Sequence, residues 1–262
     1  MSGGTLQDGA VRGRGPLLIM HKKIFFLFIL FVCLISCFRF AYYGYHKPLI
    51  DIFENNQSQY DFRGRYFGAI GLLRGENPYR YRDESLSARI IAQKYNVNME
   101  AATYAPLILA LYAPLTLFAF PVAKIIWLTF NFILVWLSIF LLVRLVEDKV
   151  NAYAAIAMTL LVTNYAVIAR NLAIGQSNIP IFVLLCLGFI FLKTGREVSA
   201  GIMFMLAAIY KPIPAILFAG LFLKRKWKAV LGGVVTLLIC VLISIFFLGW
   251  AFTAPFWQRY CG

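Results

Sequence analysis

The sequence predicts an all-α polytopic membrane protein with about seven hydrophobic segments. Hydrophobic residues make up 61% of its 262 residues, charged residues only 14%, and the mean hydropathy is +0.77. A soluble domain of this length has too little interior to hide that much apolar surface. Apolar runs also recur from Ile24 to Trp250, with Lys and Arg gathered at their ends. In lipid, such runs satisfy their backbone groups as helices.

The formal charge of +14 invites comparison with nucleic-acid-binding proteins. Its distribution excludes that class, because His21-Lys22-Lys23, Arg144, Lys193 and Lys224-Arg225-Lys226-Trp227-Lys228 flank apolar segments and form no basic face. The partner implied is the membrane, not nucleic acid. Four of the five cysteines, Cys33, Cys37, Cys186 and Cys240, lie inside apolar runs, and with Cys261 they lack C-x-x-C spacing. They read as small apolar side chains.

Residues 1–23 are expected to be a disordered cytoplasmic tail, or upstream sequence before a start at Met20. Residues 24–262 are expected to form one transmembrane domain with an extracytoplasmic loop at 45–103. Lys22-Lys23 before an apolar run resembles a signal peptide, and Leu34-Ile35-Ser36-Cys37 resembles a lipoprotein cleavage site. The run continues through Phe40-Ala41-Tyr42-Tyr43 and more segments follow, which favours an uncleaved first helix.

The apolar segments are Ile24–Tyr43, Tyr104–Phe120, Ile125–Val143, Ala152–Ile168, Ile179–Leu192, Ala200–Leu223 and Ala229–Trp250. Charge counting compares two topologies with the N-terminus inside. If every segment spans, Arg144, Lys149, Lys193 and Arg196 fall outside. If Tyr104–Phe120 and Ala200–Leu223 are re-entrant hairpins, those four join the inside while Lys124 and Arg170 move outside. The positive-inside rule prefers the hairpins. Ala105-Pro106, Ala113-Pro114 and Lys211-Pro212-Ile213-Pro214 supply the helix breaks that they need. Asp61, Tyr104, Arg170 and the Gly175-Gln176-Ser177-Asn178 turn then share the outer face, with Lys211 at a hairpin apex pointing toward them.

Phe62, Tyr66, Ile70 and Leu73 recur at helical spacing, so Asp61–Leu73 reads as an amphipathic helix lying on the outer surface. Asp61 heads it, either as a solvated helix-start residue or as a functional acid, with Arg65 one turn on and close enough to pair with it. Gly75-Glu76-Asn77-Pro78-Tyr79 ends the helix as a turn. Lys211 stands mid-way along an apolar run, where a cation faces a cavity or a partner more readily than it snorkels to an interface. Gln176 and Asn178, near Arg170, could bond a sugar or phosphate, or could simply make a polar turn.

The chain has no G-x-x-x-x-G-K-S/T or G-x-G-x-x-G phosphate loop, which argues against a nucleotide-using domain. With only His21 and His46, and no D-x-D, a catalytic metal has little support, and no cofactor is expected. Asn56-Gln57-Ser58 fits the glycosylation sequon.

Together these motifs resemble glycosyltransferase family 87, formerly domain of unknown function 2029. The resemblance rests on Asp61-Phe62 with Tyr66, Gly75 to Tyr79, Tyr104-Ala105-Pro106-Leu107, Gly175 to Asn178, and Ala200-Gly201 leading to Lys211-Pro212-Ile213-Pro214 and the basic stretch Lys224 to Lys228. It implies a GT-C fold in a bacterial plasma membrane. It further implies inverting transfer of a sugar, often mannose, from a polyprenyl-phosphate donor to a lipid or glycan acceptor on the extracytoplasmic face. In this chain Asp61 would be the general base. Lys211 and Arg170 would hold the donor phosphate, Tyr66, Tyr104, Gln176 and Asn178 would contact substrate, and no metal is implied.

Two departures stand beside it. Ala105 precedes Pro106 where the family often has two prolines after the tyrosine, and the family extends beyond the length seen here, so a C-terminally truncated enzyme is expected. The alternatives are a transporter or flippase subunit for an anionic solute, or an inactive truncated remnant.

Overall fold

The computed structural model describes residues 15–54, 58–79, 90, 92–96, 104–147 and 151–249, and among these the regular structure is entirely helical. The sequon asparagine, most of the loop after Tyr79, and residues 250–262 lie outside the described residues, as do residues 1–14 of the expected tail. Helix α1, Gly15–Ala41, begins before the expected segment and continues through a π turn, Tyr42–His46, into α2, Lys47–Glu54. Apolar residues exposed along α1, such as Phe25, Phe28, Phe31 and Phe38, suit a lipid environment better than water.

Helix α3 covers Tyr60–Leu73. The helix was anticipated, but its placement on a surface was not correct. Phe62, Arg63, Arg65, Tyr66, Phe67 and the run from Gly68 to Leu72 are all buried, leaving no solvated face along most of its length. The physical reason is a second layer of aromatic residues around it. Phe62 stacks on Trp127 at 5.8 Å and on Phe120 at 6.4 Å, and Tyr66 and Phe67 also pack on Phe120. A helix surrounded in this way has neighbours on both its apolar and its nominally polar side.

The segment Tyr104–Phe120 does not form one helix. α4, Pro106–Leu111, gives way to a 3-10 turn at Ala113–Leu117, and the chain is extended at Phe118 before the next helix begins. Six residues rise about 9 Å, far short of the ~30 Å apolar core of a bilayer. Both ends of the segment return to α3: Arg65 donates to the Tyr104 hydroxyl, and the Tyr66 hydroxyl donates to the Phe118 carbonyl. The segment therefore turns back on itself, as its prolines suggest.

α5, Phe120–Val146, is 27 residues long and apolar enough to span. α6, Ala152–Asn164, is capped by the Asn151 side chain, which accepts from the amides of Tyr153 and Ala154. The expected continuous helix to Ile168 breaks at Tyr165, where α7, Ala166–Ile174, leaves at 57°. Side chains just before the break bond to carbonyls one turn back, Thr163 to Thr159 and Asn164 to Leu160, a pattern that bends helices.

α8, Asn178–Lys193, and α9, Glu197–Tyr210, are followed by a break around Lys211–Ala215, then α10, Ile216–Leu223, and α11, Trp227–Leu248. Fourteen residues of α9 rise about 21 Å, and the α9–α10 segment returns to its starting end, because Lys226 bonds Glu197 at 2.8 Å. α9 packs against both α8 and α11. Its approach to α11 is backbone on backbone: a Cβ added at Gly201 would overlap the Ala229 carbonyl oxygen. Small residues at a crossing allow this contact between helices in lipid.

Candidate active site

The site is assembled around the turn between α7 and α8. Gly175 has φ +73°, with Gln176 N–H bonded to the Asn171 carbonyl at 2.9 Å and Gly175 N–H to Leu172 at 3.2 Å. This is a Schellman ending, and the residue in the left-handed conformation is glycine because a side chain is strained there. Space imposes the same choice: a Cβ would stand 2.9 Å from the Phe62 Cβ and 3.1 Å from the Gln59 Cβ. The turn thus lies directly on the start of α3, against Gln59 and Phe62, which stand on either side of Asp61 in sequence.

Asp61 occupies the first turn of α3 and is partly buried. Its Oδ2 is enclosed and has no hydrogen-bond partner among the described residues. The expected pairing with Arg65 does not form. Arg65 is fully buried and turns inward, donating from Nη1 to the Gly175 carbonyl at 2.9 Å and from Nη2 to the Tyr104 hydroxyl at 2.6 Å. Its guanidinium lies 4.5 Å from the Tyr104 ring centre, 5.5 Å from Tyr112 and 5.9 Å from Trp127. Aromatic faces and two neutral oxygens replace the carboxylate as its partners.

Lys211 ends α9 in extended conformation and reaches the same turn from the other side. Its Nζ donates to Asn178 Oδ1 at 2.7 Å and to Gln176 Oε1 at 3.1 Å. Asn178 Nδ2 in turn donates to Gln176 Oε1 at 2.7 Å and to Asn171 Oδ1 at 3.1 Å. Three of the sequence-derived candidates, Lys211, Gln176 and Asn178, therefore form one bonded group. No carboxylate is bonded to Lys211 among the described residues; the side-chain partners of its charge there are two amide oxygens.

The other candidates divide. Tyr104 joins the group through Arg65, while its carbonyl accepts the Tyr79 hydroxyl at 2.9 Å, which brings the Gly75–Tyr79 turn to the same place. Tyr66 is buried, its hydroxyl is held by the Phe118 carbonyl at 2.7 Å, and burial with the neighbouring Tyr95 pushes its pKa up to about 12. That arrangement suits a structural tie better than substrate contact. Arg170 is exposed on α7 and makes no hydrogen bond or ion pair among the described residues; the next residue, Asn171, is the one that enters the bonded group.

Sequence reading missed several contributors. Trp127 Nε1 shares the Gly175 carbonyl with Arg65, also at 2.9 Å, and no local pattern distinguishes this tryptophan from a core residue. Gln59 and Ser177 are 1% and 0% exposed, yet both Gln59 side-chain polar atoms and Ser177 Oγ lack partners among the described residues. Each precedes a helix, α3 or α8, without capping it by its side chain. Unpaired buried polar atoms cost about 1–3 kcal/mol each, and here they gather next to Asp61 and the Gly175 turn.

An apolar cavity of about 340 Å³ lies between α5, α6, α7 and α8, with Asn171 and Asn178 in its wall. Among the described residues no cluster of three or more His, Cys, Asp or Glu could hold a metal ion.

Comparison with known proteins gives one finding. The model of glycosyltransferase family 87 matches residues 102–260, which takes in Tyr104, the Gly175–Asn178 turn and Lys211 and begins after Asp61 and Tyr66. No curated protein matches the chain, and no solved structure does. An all-α membrane protein whose bonded turn lies within that match over more than half its length belongs to glycosyltransferase family 87.

Proposed function

We propose that this membrane glycosyltransferase moves a sugar, of which mannose is the first choice, from a polyprenyl-phosphate donor to a lipid or glycan acceptor. The reading places a GT-C-type site on the extracytoplasmic face of a bacterial plasma membrane. The observation that carries it is the bonded group of Lys211, Gln176 and Asn178 at a turn packed on the start of α3, the helix whose first turn carries Asp61: Gly175 lies against Gln59 and Phe62, and α9 brings the cation onto Gln176 and Asn178.

In this scheme the acceptor hydroxyl oxygen attacks the anomeric carbon and the Asp61 carboxylate takes its proton. The bond from the anomeric carbon to the phosphate oxygen breaks, with inversion, and the prenyl phosphate leaves as an anion. An anionic leaving group needs charge and donors more than a proton. Lys211 supplies the charge, and its present amide partners, Gln176 and Asn178, can exchange their bond to it for one to substrate. Arg170 is a candidate second cation from the rim. Tyr104, fixed by Arg65, and Tyr66 contribute to the wall of the site. A lipid-borne donor also accounts for a chain that carries no nucleotide loop.

The test is transfer by membranes containing the chain, supplied with polyprenyl-phosphate-mannose and an acceptor. Asp61→Asn should lower the rate about 10²–10⁴-fold, the usual range for a general base. Equal rates for the parent and Asp61→Asn would reject the base. Transfer from a nucleotide sugar but not from the prenyl donor would reject the donor assignment while leaving the base intact.

A further inference from the structure

The opposite end of the bundle carries a second organised set of cations that the transfer reaction does not use. Lys193 and Arg196 lie at the turn between α8 and α9, and Lys224 and Arg225, with Lys228 in the first turn of α11, lie at the turn between α10 and α11, all of them exposed. The two turns are one structural unit. Lys226 bridges to Glu197 at 2.8 Å, and Lys193 donates to the Leu145 carbonyl at the end of α5, which brings Arg144 alongside. Glu197 and Glu147 are the acids among the described residues here, and Glu197 is already bridged to Lys226.

Both turns close in the same way, with Arg196 N–H on the Phe191 carbonyl and Lys226 N–H on Leu221. In the first, glycine occupies the left-handed position; in the second, Arg225 does, at φ +53°. A non-glycine residue there is costly, and the geometry leaves its cation on the outside of the turn. Exposed apolar groups surround these charges: Trp227 is 52% exposed and packs edge-on to Phe222 at 4.8 Å, and Leu223 is 81% exposed. A cationic turn with a tryptophan and bare aliphatic side chains suits the boundary between headgroups and acyl chains, where each kind of group finds its own surroundings.

We infer that the end of the bundle built by the 193–197 and 224–228 turns is a binding surface for the headgroups of anionic phospholipids. Its cations face outward from the end remote from Lys211, which places the anionic leaflet opposite the candidate active site. The proposal is independent of any role in sugar transfer.

The test uses the full chain, reconstituted into bilayers of equal parts phosphatidylcholine and phosphatidylglycerol and then withdrawn into mild detergent, with the retained lipid identified by native mass spectrometry. The parent should retain phosphatidylglycerol in preference. The triple variant Lys224→Gln/Arg225→Asn/Lys228→Gln should lose that preference by about 10²-fold, given what each cation contributes near an anionic surface. The pair Lys47→Gln/Lys94→Gln, which removes exposed cations elsewhere, should keep it. Equal retention of both lipids by the parent, an undiminished preference in the triple variant, or an equal loss in the control pair overturns the proposal. If the triple variant does not fold, the parent is washed with rising salt: phosphatidylglycerol that leaves as salt increases supports the surface, and retention indifferent to salt overturns it.

Discussion

Two ends of the same bundle treat positive charge in opposite ways. Around Gly175 the cations are drawn inward, Arg65 completely and Lys211 in part, and are bonded to a carbonyl, a phenol and two amides. Around Lys226 the cations stand outward, and the salt bridge there is with Glu197. The difference lies in what each charge is bonded to and how far it is withdrawn from solvent. A cation solvated by neutral dipoles keeps its field available to an incoming anion, whereas a cation paired with a carboxylate has largely cancelled it. Inward cations without carboxylates mark a site; outward ones mark a surface.

The contrast can be tested by perturbing each end. After Asp61→Asn, the largest effect is expected from Lys211→Met, which removes the charge from the turn. Transfer should fall about 10²-fold, the scale for losing one preorganised group at a developing anion, with the chain still folded because α9 keeps its packing on α11. Normal transfer by this variant would place the phosphate elsewhere. Gly175→Ala comes next, since it combines a left-handed backbone with contact on Phe62 and Gln59. A loss of about 1–3 kcal/mol in stability is expected by thermal unfolding in detergent. Arg65→Lys keeps the charge but cannot reach Tyr104 and Gly175 with one planar fork, so about 1 kcal/mol of stability should be lost. The smallest effect is expected from Glu197→Gln at the other end, within about 0.5 kcal/mol, because the bridge is partly exposed. A larger loss there would show that the outward end is more than a surface.

Composition and proline placement made the architecture legible. Proline breaks in Tyr104–Phe120 and after Lys211 appear where the sequence supplies them, and in both segments the ends come back together. These are local effects: a missing amide and a fixed φ act wherever the residue falls. Lys211 and the Gly175–Asn178 turn were legible for a similar reason, since a lone cation in an apolar run and a glycine between two helices each require a local explanation. Burial of α3 was not legible. Its spacing of Phe62, Tyr66 and Ile70 describes one face, and nothing local records that Phe120, Trp127 and Tyr112 close over the rest. The role of Arg65 was hidden with it, because the carbonyl that it bonds lies 110 residues away in sequence. The part played by Asn171 was not legible beside Arg170: neighbours in sequence point about 100° apart on a helix, so the charged residue faces outward while the amide joins the bonded group.

Helix α9 is fastened at both extremities, by Glu197 to Lys226 at one and by Lys211 to Asn178 at the other, and along its flank the Gly201 backbone rests on that of Ala229. No pliable side chain cushions that contact, so α9 behaves as a measuring rod of about 21 Å between the two faces of the protein. Its length sets the height at which Lys211 meets the turn. Adding one residue within it would raise the lysine by about 1.5 Å and swing it about 100° around the helix axis, away from Asn178. Helix length, more than the identity of the residues along it, governs whether the cation arrives.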